Sequence, residues 1–192
     1  FTAPFSWDFE SSCMGLSKTL DWECGQINFS AGSGCSTGQA APTASASGTG
    51  KGMWGTILND CHNNKGNNTG SGSTTCSNTT PSDDSILSFK VTIPSSWTKA
   101  TLTYYAWEDV NGYFDWMEVR VNGASALKFC NPTRPAKAWV KRTVDLSAHV
   151  GKTVPVAFHF LASSVVAYAG WYIDDVSVTQ GAAADGGPVA DQ

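Results

Sequence analysis

Four carboxylates stand at the two ends of this sequence, Asp8 and Glu10 near its start and Asp174 and Asp175 near its finish. The second pair interrupts Gly170-Trp171-Tyr172-Ile173 and Val176-Ser177-Val178, a run whose aromatic and β-branched residues read as a last strand. Alternation along such a strand sends Asp174 to the face of Val176 and Val178, and Asp175 to the opposite face. A carboxylate aimed at an apolar face is costly unless a hydrogen bond or a cation meets it. Asp8 and Glu10 alternate with Phe5, Trp7 and Phe9 in a first strand. If first and last strands are neighbours, four acids converge, and they repel one another unless protonated or bridged. Hard oxygen donors of this kind suit Ca²⁺, which takes six to eight of them, with loop carbonyls completing the shell. Asn59 and Asp60, just after the run around Trp54, are further candidate ligands. The expected cofactor is a structural calcium ion. The plainer reading is that these acids cap turns or pair with Lys and Arg.

Paired carboxylates also serve glycosidases, so a carbohydrate-active jelly-roll enzyme is the alternative. Against it, the acids alternate with core-type residues instead of lining a cleft. The sequence holds no HExxH and no GxSxG, and no Ser or Cys has an obvious His partner nearby. The Gly48-Thr49-Gly50-Lys51-Gly52 run lacks the phosphate-loop spacing. No catalytic residue is assigned. Aromatic chemistry is the other possibility: Trp22, Trp97, Trp107, Tyr113, Trp116 and Trp139 could form a platform that stacks on sugar rings or peptides. Most Trp residues of a sandwich serve packing. Trp116 and Trp139 are the candidates for an exposed ligand-binding role, with Arg134 and Lys137 near the latter.

The chain that must position these groups has 192 residues, enough to bury one core. Charged residues make up 15%, below the usual quarter, and the net charge is −4. Nothing electrostatic favours nucleic acid or an anionic membrane surface. No apolar run reaches the roughly 20 residues of a membrane-spanning helix. Six cysteines (Cys13, Cys24, Cys35, Cys61, Cys76, Cys130) occur without a CxxC, and the three histidines are scattered, so disulfides fit better than zinc. Disulfides imply an oxidising, secreted or cell-surface setting. Opening at Phe1 instead of Met is what a mature or excised secreted product would do. Among the connectivities open to six cysteines, the locally closed pairs Cys13–Cys24 and Cys61–Cys76 are favoured, which leaves Cys35 with Cys130.

Strand signals recur throughout: 5–10, 20–23, 51–58, then 85–93 (SILSFKVTI), 100–107 (ATLTYYAW), 114–121 (FDWMEVRV), 139–146, 154–161 (VPVAFHFL) and 171–178. Asn122-Gly123 signals a tight hairpin. Residues 30–51 are mostly Gly, Ser, Thr and Ala and read as loop. About nine strands with such turns predict an all-β chain, an antiparallel β-sandwich of jelly-roll type. The domain is expected over 1–180, with a disulfide-stapled loop at 59–84 and an Ala/Gly-rich linker or tail at 181–192.

Several of these stretches carry a resemblance. Trp7-Asp8-Phe9-Glu10, Asp21-Trp22, the 100–105 strand and Tyr172-Ile173-Asp174-Asp175-Val176-Ser177 resemble the MAM-type module. Met53-Trp54-Gly55-Thr56-Ile57-Leu58-Asn59, Trp107-Glu108-Asp109 with Gly112-Tyr113, and Gly170 to Val176 are similar to a bacterial subgroup. That subgroup is the MAM-like accessory domain of immune-inhibitor-A-type peptidases and choice-of-anchor secreted proteins. The resemblance runs from about Trp7 to Val178. It implies an exported, non-catalytic jelly-roll module, often with a structural Ca²⁺, serving adhesion or an accessory role. Its partner would be a glycan or protein at a cell surface or in a substrate, or a neighbouring domain of the same polypeptide. Two departures stand out. Animal MAM domains carry a cysteine where this chain has Trp7, and the 59–84 insert looks private to this sequence.

Overall fold

The computed structural model describes residues 1–32, 34–62, 83–129, 137–162 and 166–181. Eleven strands run through them: β1 (Phe5–Trp7), β2 (Ser17–Lys18), β3 (Trp22–Gln26), β4 (Gly52–Thr56), β5 (Asp83–Thr92), β6 (Thr101–Asp109), β7 (Trp116–Val121), β8 (Ala124–Phe129), β9 (Trp139–Asp145), β10 (Thr153–Ala162) and β11 (Gly170–Thr179). One sheet has the order β3-β4-β11-β6-β9, with β1 also on β11; the other is β2-β5-β10-β7-β8. Every pairing between these strands is antiparallel. The result is an antiparallel β-sandwich of jelly-roll type, as its strand and turn signals predict.

The inner faces supply the core by alternation. Leu102, Tyr104 and Ala106 of β6, Val119 and Val121 of β7, and Phe158 and Phe160 of β10 are all buried in it. Burying side chains of this size stabilises by about 1.5–3 kcal/mol each. A second, smaller cluster of Ile27, Ala41, Met53, Leu58, Ala169 and Tyr172 lies on the other side of the six-stranded sheet. Strand β8 was not among the expected strands, although the Asn122-Gly123 turn before it was. Both turn residues have positive φ, 51° and 82°, the left-handed geometry of a tight hairpin. That turn folds Ala124 back onto Val121. The burial of β8 is only partial and its first three residues are exposed, so its apolar signal is faint.

The expected facing of β11 is overturned. Trp171, Ile173, Val176 and Val178 share the core face, whereas Tyr172 belongs to the outer cluster. Simple alternation cannot place both 173 and 176 inward. The register with β6 shifts by one residue between Asp174 and Ser177, a β-bulge, and Asp175 takes φ 47°. The bulge absorbs one residue, so Asp174 leaves the face of the valines.

Of the expected disulfides, Cys13–Cys24 forms. Cys35 pairs with Cys61, not with Cys130, and Cys61 therefore does not pair with Cys76. Loop-closure entropy grows only slowly with length, so proximity in sequence is a weak guide. The deciding contacts are with one segment. Cys35 bridges Ala167, Ser36 N–H donates to the Ala167 carbonyl, and His62 N–H donates to that of Tyr168. Both cysteines thus reach the same place, with Cα atoms 5.7 Å apart. Cys76, Cys130, Arg134, most of the 59–84 insert and residues 182–192 of the expected tail lie outside the described residues.

Inside the sandwich, Glu108 follows Leu102, Tyr104 and Ala106 on the inward face of β6 and is fully buried. Arg142 of β9 meets it, Nη2 lying 2.8 Å from Oε1 and 3.0 Å from Oε2, with its guanidinium 4.6 Å above the Phe129 ring. Removing one member strands a buried charge. Arg142→Leu is expected to destabilise the fold by about 3–5 kcal/mol in urea denaturation, and Glu108→Leu/Arg142→Leu by much less. Equal losses in the single and double variants would contradict this account.

Candidate functional site

Strands β1 and β4 share one edge of β11 in tandem. Phe5, Ser6 and Trp7 pair with Val178, Ser177 and Val176, while Trp54 and Gly55 pair with Ile173 and Tyr172. Asp174 and Asp175 fall in the gap between the two partners, where the bulge sits. Asp8 and Glu10 arrive there as the chain leaves β1, turning at Phe9 with φ 56°. The start of β4 presses on that turn: a Cβ at Gly52 would lie 2.5 Å from the Phe9 carbonyl oxygen and 2.7 Å from Glu10 Cα. A Cβ at Gly50 would strike the Glu10 carboxylate itself. Gly52 is thus a steric requirement of the seam, whereas a side chain at Gly50 would displace the Glu10 carboxylate.

Half of the eight carboxylate oxygens at the seam hold backbone. Glu10 Oε2 accepts from the amides of Lys51 and Gly52, each at 3.0 Å. Asp174, fully buried, accepts from Ala46 N–H at 2.7 Å and from Asp175 N–H at 2.8 Å. Asp8 Oδ1 accepts from Glu10 N–H at 3.2 Å. Burial pushes the Asp174 carboxyl up to about 7; the two amides oppose the rise, and the charges of Asp175 and Glu10 add to it. Asp175 is also raised, by burial and then by the charges of Asp8 and Glu10. The four acids predicted to converge do influence one another.

As a cation site the seam is half built. Glu10 Oε1 is buried without a hydrogen-bond partner, and Asp174 is a buried acid beside like charges. Both features fit a cation. Among the described residues, however, no three of the four carboxylates bring an oxygen each within 4.8 Å of one another. The one trio at that spacing is Cys35, Asp60 and Cys61, whose two sulfurs are joined in the disulfide. A Ca²⁺ at the seam would need Glu10 and Asp174 together with backbone carbonyls from the loop before β4.

Asn59 and Asp60 are elsewhere. They follow β4 at its other end, where the Asn59 carbonyl accepts from Ser30 N–H and Asp60 Oδ1 accepts from the amides of Gly32 and Cys61. The aromatic candidates are more enclosed than a platform requires. Trp139 is half-buried, its indole N–H donating to the Ala44 carbonyl and its ring edge-on to Trp107. Trp116 is half-buried beneath the Lys128 ammonium, 3.7 Å from its ring centre. Trp22 is fully buried and Tyr113 is 45% exposed.

No motif or spacing announces what the six-stranded sheet does to residues 34–51. These form a strap over the sheet's outer face, and side chains of the sheet receive its backbone. Asp109 accepts from Ala40 N–H at 2.7 Å, Trp107 Nε1 donates to the Ala40 carbonyl at 2.8 Å, and Lys137 Nζ donates to the Gly38 carbonyl. Trp139, Asp174 and Glu10 continue the series at Ala44, Ala46 and Lys51. Burial raises the Asp109 carboxyl against the pull of the Ala40 amide and Lys137. The available clue was the indoles, because a half-buried Trp needs an acceptor and the nearby loop is rich in carbonyls.

No family model matches the chain. Over 103 residues, 47% of the chain, it is 32% identical to the pre-pro-metalloprotease PrtV of Vibrio cholerae serotype O1. The chain spans about a tenth of that relative's length, 11%. Among solved structures it is similar to the K1 cleaved adhesin domain of Lys-gingipain from Porphyromonas gingivalis, with TM-score 0.48 and 15% identity over 93% of this chain and 99% of that one. It is also similar to a family 35 carbohydrate-binding module from Clostridium thermocellum, with TM-score 0.43 and 12% identity over 93% and 99%.

The seam has a pH signature. A carboxyl raised from 3.8 to about 7 binds its proton more tightly in the folded than in the unfolded chain. Its contribution is complete below the unfolded value and is lost as pH rises towards 7. In EDTA, stability measured by urea unfolding should fall by roughly 2–3 kcal/mol between pH 5 and pH 8. Asp174→Asn should flatten most of that slope, leaving the smaller part due to Asp175 and Asp109. A wild-type stability that rises over this interval would contradict the assignment.

Proposed function

We propose that this chain is a non-catalytic binding and accessory module of a larger exported protein, with a Ca²⁺ ion fastening its first strand to its last. The observation that carries the reading is where the carboxylate oxygens go. Asp174 and Glu10 accept from the amides of Ala46, Asp175, Lys51 and Gly52, so their work is to hold chain. A general acid or base must instead reach a substrate proton from a cleft. Asp174 is fully buried beneath the strap, where no substrate reaches it. The unpartnered Glu10 Oε1 and the crowding of like charges support the cation. When bound, Ca²⁺ would neutralise the seam, with Glu10 and Asp174 as its protein carboxylates and Asp8 and Asp175 beside them.

Similarity to about a tenth of a pre-pro-metalloprotease supports a portable module carried by an exported peptidase. Two disulfides fit the same extracellular setting. The MAM-like assignment belongs with this reading, resting on the Trp7 to Glu10 and Tyr172 to Ser177 motifs that meet at the seam. The partner is a glycan or a protein at a cell surface or in a substrate.

Thermal unfolding with millimolar Ca²⁺, Mg²⁺ or EDTA tests the clasp. An ion that binds only the folded chain stabilises it by RT ln(1 + [L]/Kd), about 2.7 kcal/mol at a hundredfold excess over Kd. Ca²⁺ is expected to raise Tm by several degrees, and Glu10→Gln to remove most of that gain. No Ca²⁺ response in the wild type would sink the ion. Hydrolysis of any member of a polysaccharide panel, abolished by Asp174→Asn in a folded protein, would replace the module with an enzyme.

A further inference from the structure

We propose that the groove between the strap and the exit of β3 is a binding subsite for a single pyranose ring carrying a carboxylate. This rests on the glycan arm of the function proposed above and assigns it a place and a ligand class. The groove is open to solvent and offers about 210 Å³, below the roughly 300–1,000 Å³ of sites for drug-sized ligands and on the scale of one ring. Ile27 and Ala41, both buried, and the half-buried Phe29 supply its apolar surface. Asn28, Thr43 and Lys51 line it too and are exposed. A sugar ring has that same division, an apolar face and a polar rim.

Both walls are held by hydrogen bonds to their backbone. On the β3 side, Ile27 N–H donates to the Lys51 carbonyl at 2.9 Å and Asn28 N–H to the Leu58 carbonyl at 3.3 Å. On the strap side, Ala40 is held by Asp109 and Trp107, and Ala44 by Trp139. The site is therefore preformed, which spares a ligand the entropy of ordering it. None of the side chains of Asn28, Thr43 and Lys51 has a partner among the described residues, so an amide, a hydroxyl and an ammonium are all available to a ligand. Among the described residues Lys51 is the only charged group in the lining, and no carboxylate of those residues pairs with its ammonium. A lone ammonium beside an amide and a hydroxyl selects a carboxylate on a hydroxylated ring.

The test is ¹H–¹⁵N NMR titration of the intact chain with D-glucuronate and with D-glucose, in millimolar Ca²⁺. Glucuronate is expected to move the amide signals of Asn28, Thr43 and Lys51, with glucose binding more weakly. Lys51→Met should weaken glucuronate about tenfold or more and leave glucose nearly unchanged. Asn28→Ala should weaken both. These exposed positions are not expected to alter Tm. Equal binding of the two sugars, or indifference to Lys51→Met, would overturn the acidic-ring assignment. Shifts confined to other residues, or no shifts, would overturn the groove. Affinity electrophoresis on a polysaccharide panel separates this from the parent reading: retardation there keeps a glycan-binding module without this groove, and no retardation on any gel removes the glycan arm along with the groove and leaves a module for a protein partner.

Discussion

A loop of small residues cannot hold itself against a sheet, and in this protein the sheet holds it. Residues 34–51 have few apolar side chains to bury, yet Ala41 and Ser45 are buried and the strap seals Met53 and Tyr172 beneath it. A buried backbone group without a partner costs about 1–3 kcal/mol, so the strap lies flat only where its amides and carbonyls are met. Asp109, Asp174 and Glu10 accept from it, and Trp107, Trp139 and Lys137 donate to it. The acceptors are charged groups, whose hydrogen bonds are about twice as strong as neutral ones. The outer face of the six-stranded sheet is thus closed by polar side chains acting on backbone, not by a second apolar layer alone.

That arrangement concentrates charge. The bulge at 174–175 takes two adjacent residues off the core face together, and β1 delivers Asp8 and Glu10 to the same gap in the edge of β11. Burial first, and then the neighbouring charges, hold the Asp174 and Asp175 carboxyls above their ordinary value. Protonation relieves the repulsion but weakens the charge-assisted bonds to the strap. A cation relieves it and leaves those bonds intact. The two remedies act in opposite pH directions, so with the proposed ion bound the acidity of the medium and the supply of cation would set the strength of the seam together.

The sandwich was legible in the sequence because most inward faces alternate cleanly, as in β6 and β10. Convergence of the four acids was legible too, from the expectation that first and last strands are neighbours. The facing of Asp174 was not, because a bulge leaves no mark in the side-chain pattern; only the doubled Asp-Asp, with one residue too many between Ile173 and Val176, hinted at it. Strand β8 was hidden by three exposed residues of low apolar content. The Cys35–Cys61 pairing depended on a third party, residues 167–168, which no spacing between cysteines encodes. Trp139 was singled out as a candidate for exposure, and its neighbour across the β6–β9 pair, Trp107, shows why it is covered: both indoles are spent on the strap.

Lys51 joins the two proposed sites. Its amide donates to Glu10 at the seam, its carbonyl accepts from Ile27 in the groove wall, and its side chain stands on the groove's rim. The Lys51–Gly52 peptide unit is gripped from both sides, its carbonyl by Ile27 N–H and its Gly52 N–H by Glu10, and so transmits a displacement at either one. An ion that drew Glu10 toward Asp174 would act on the Lys51 amide, and a ligand seated against Ile27 would act on its carbonyl. Thermodynamic linkage makes any such coupling reciprocal, so a ligand tightened by the ion must tighten the ion in equal measure. Electrostatics gives the same sign. An anionic ring approaching Lys51 also approaches the acids at the seam, and neutralising those acids removes the repulsion that would oppose it. If both sites bind as proposed, the seam and the groove would act as one mechanical and electrostatic unit, built where the strap enters β4.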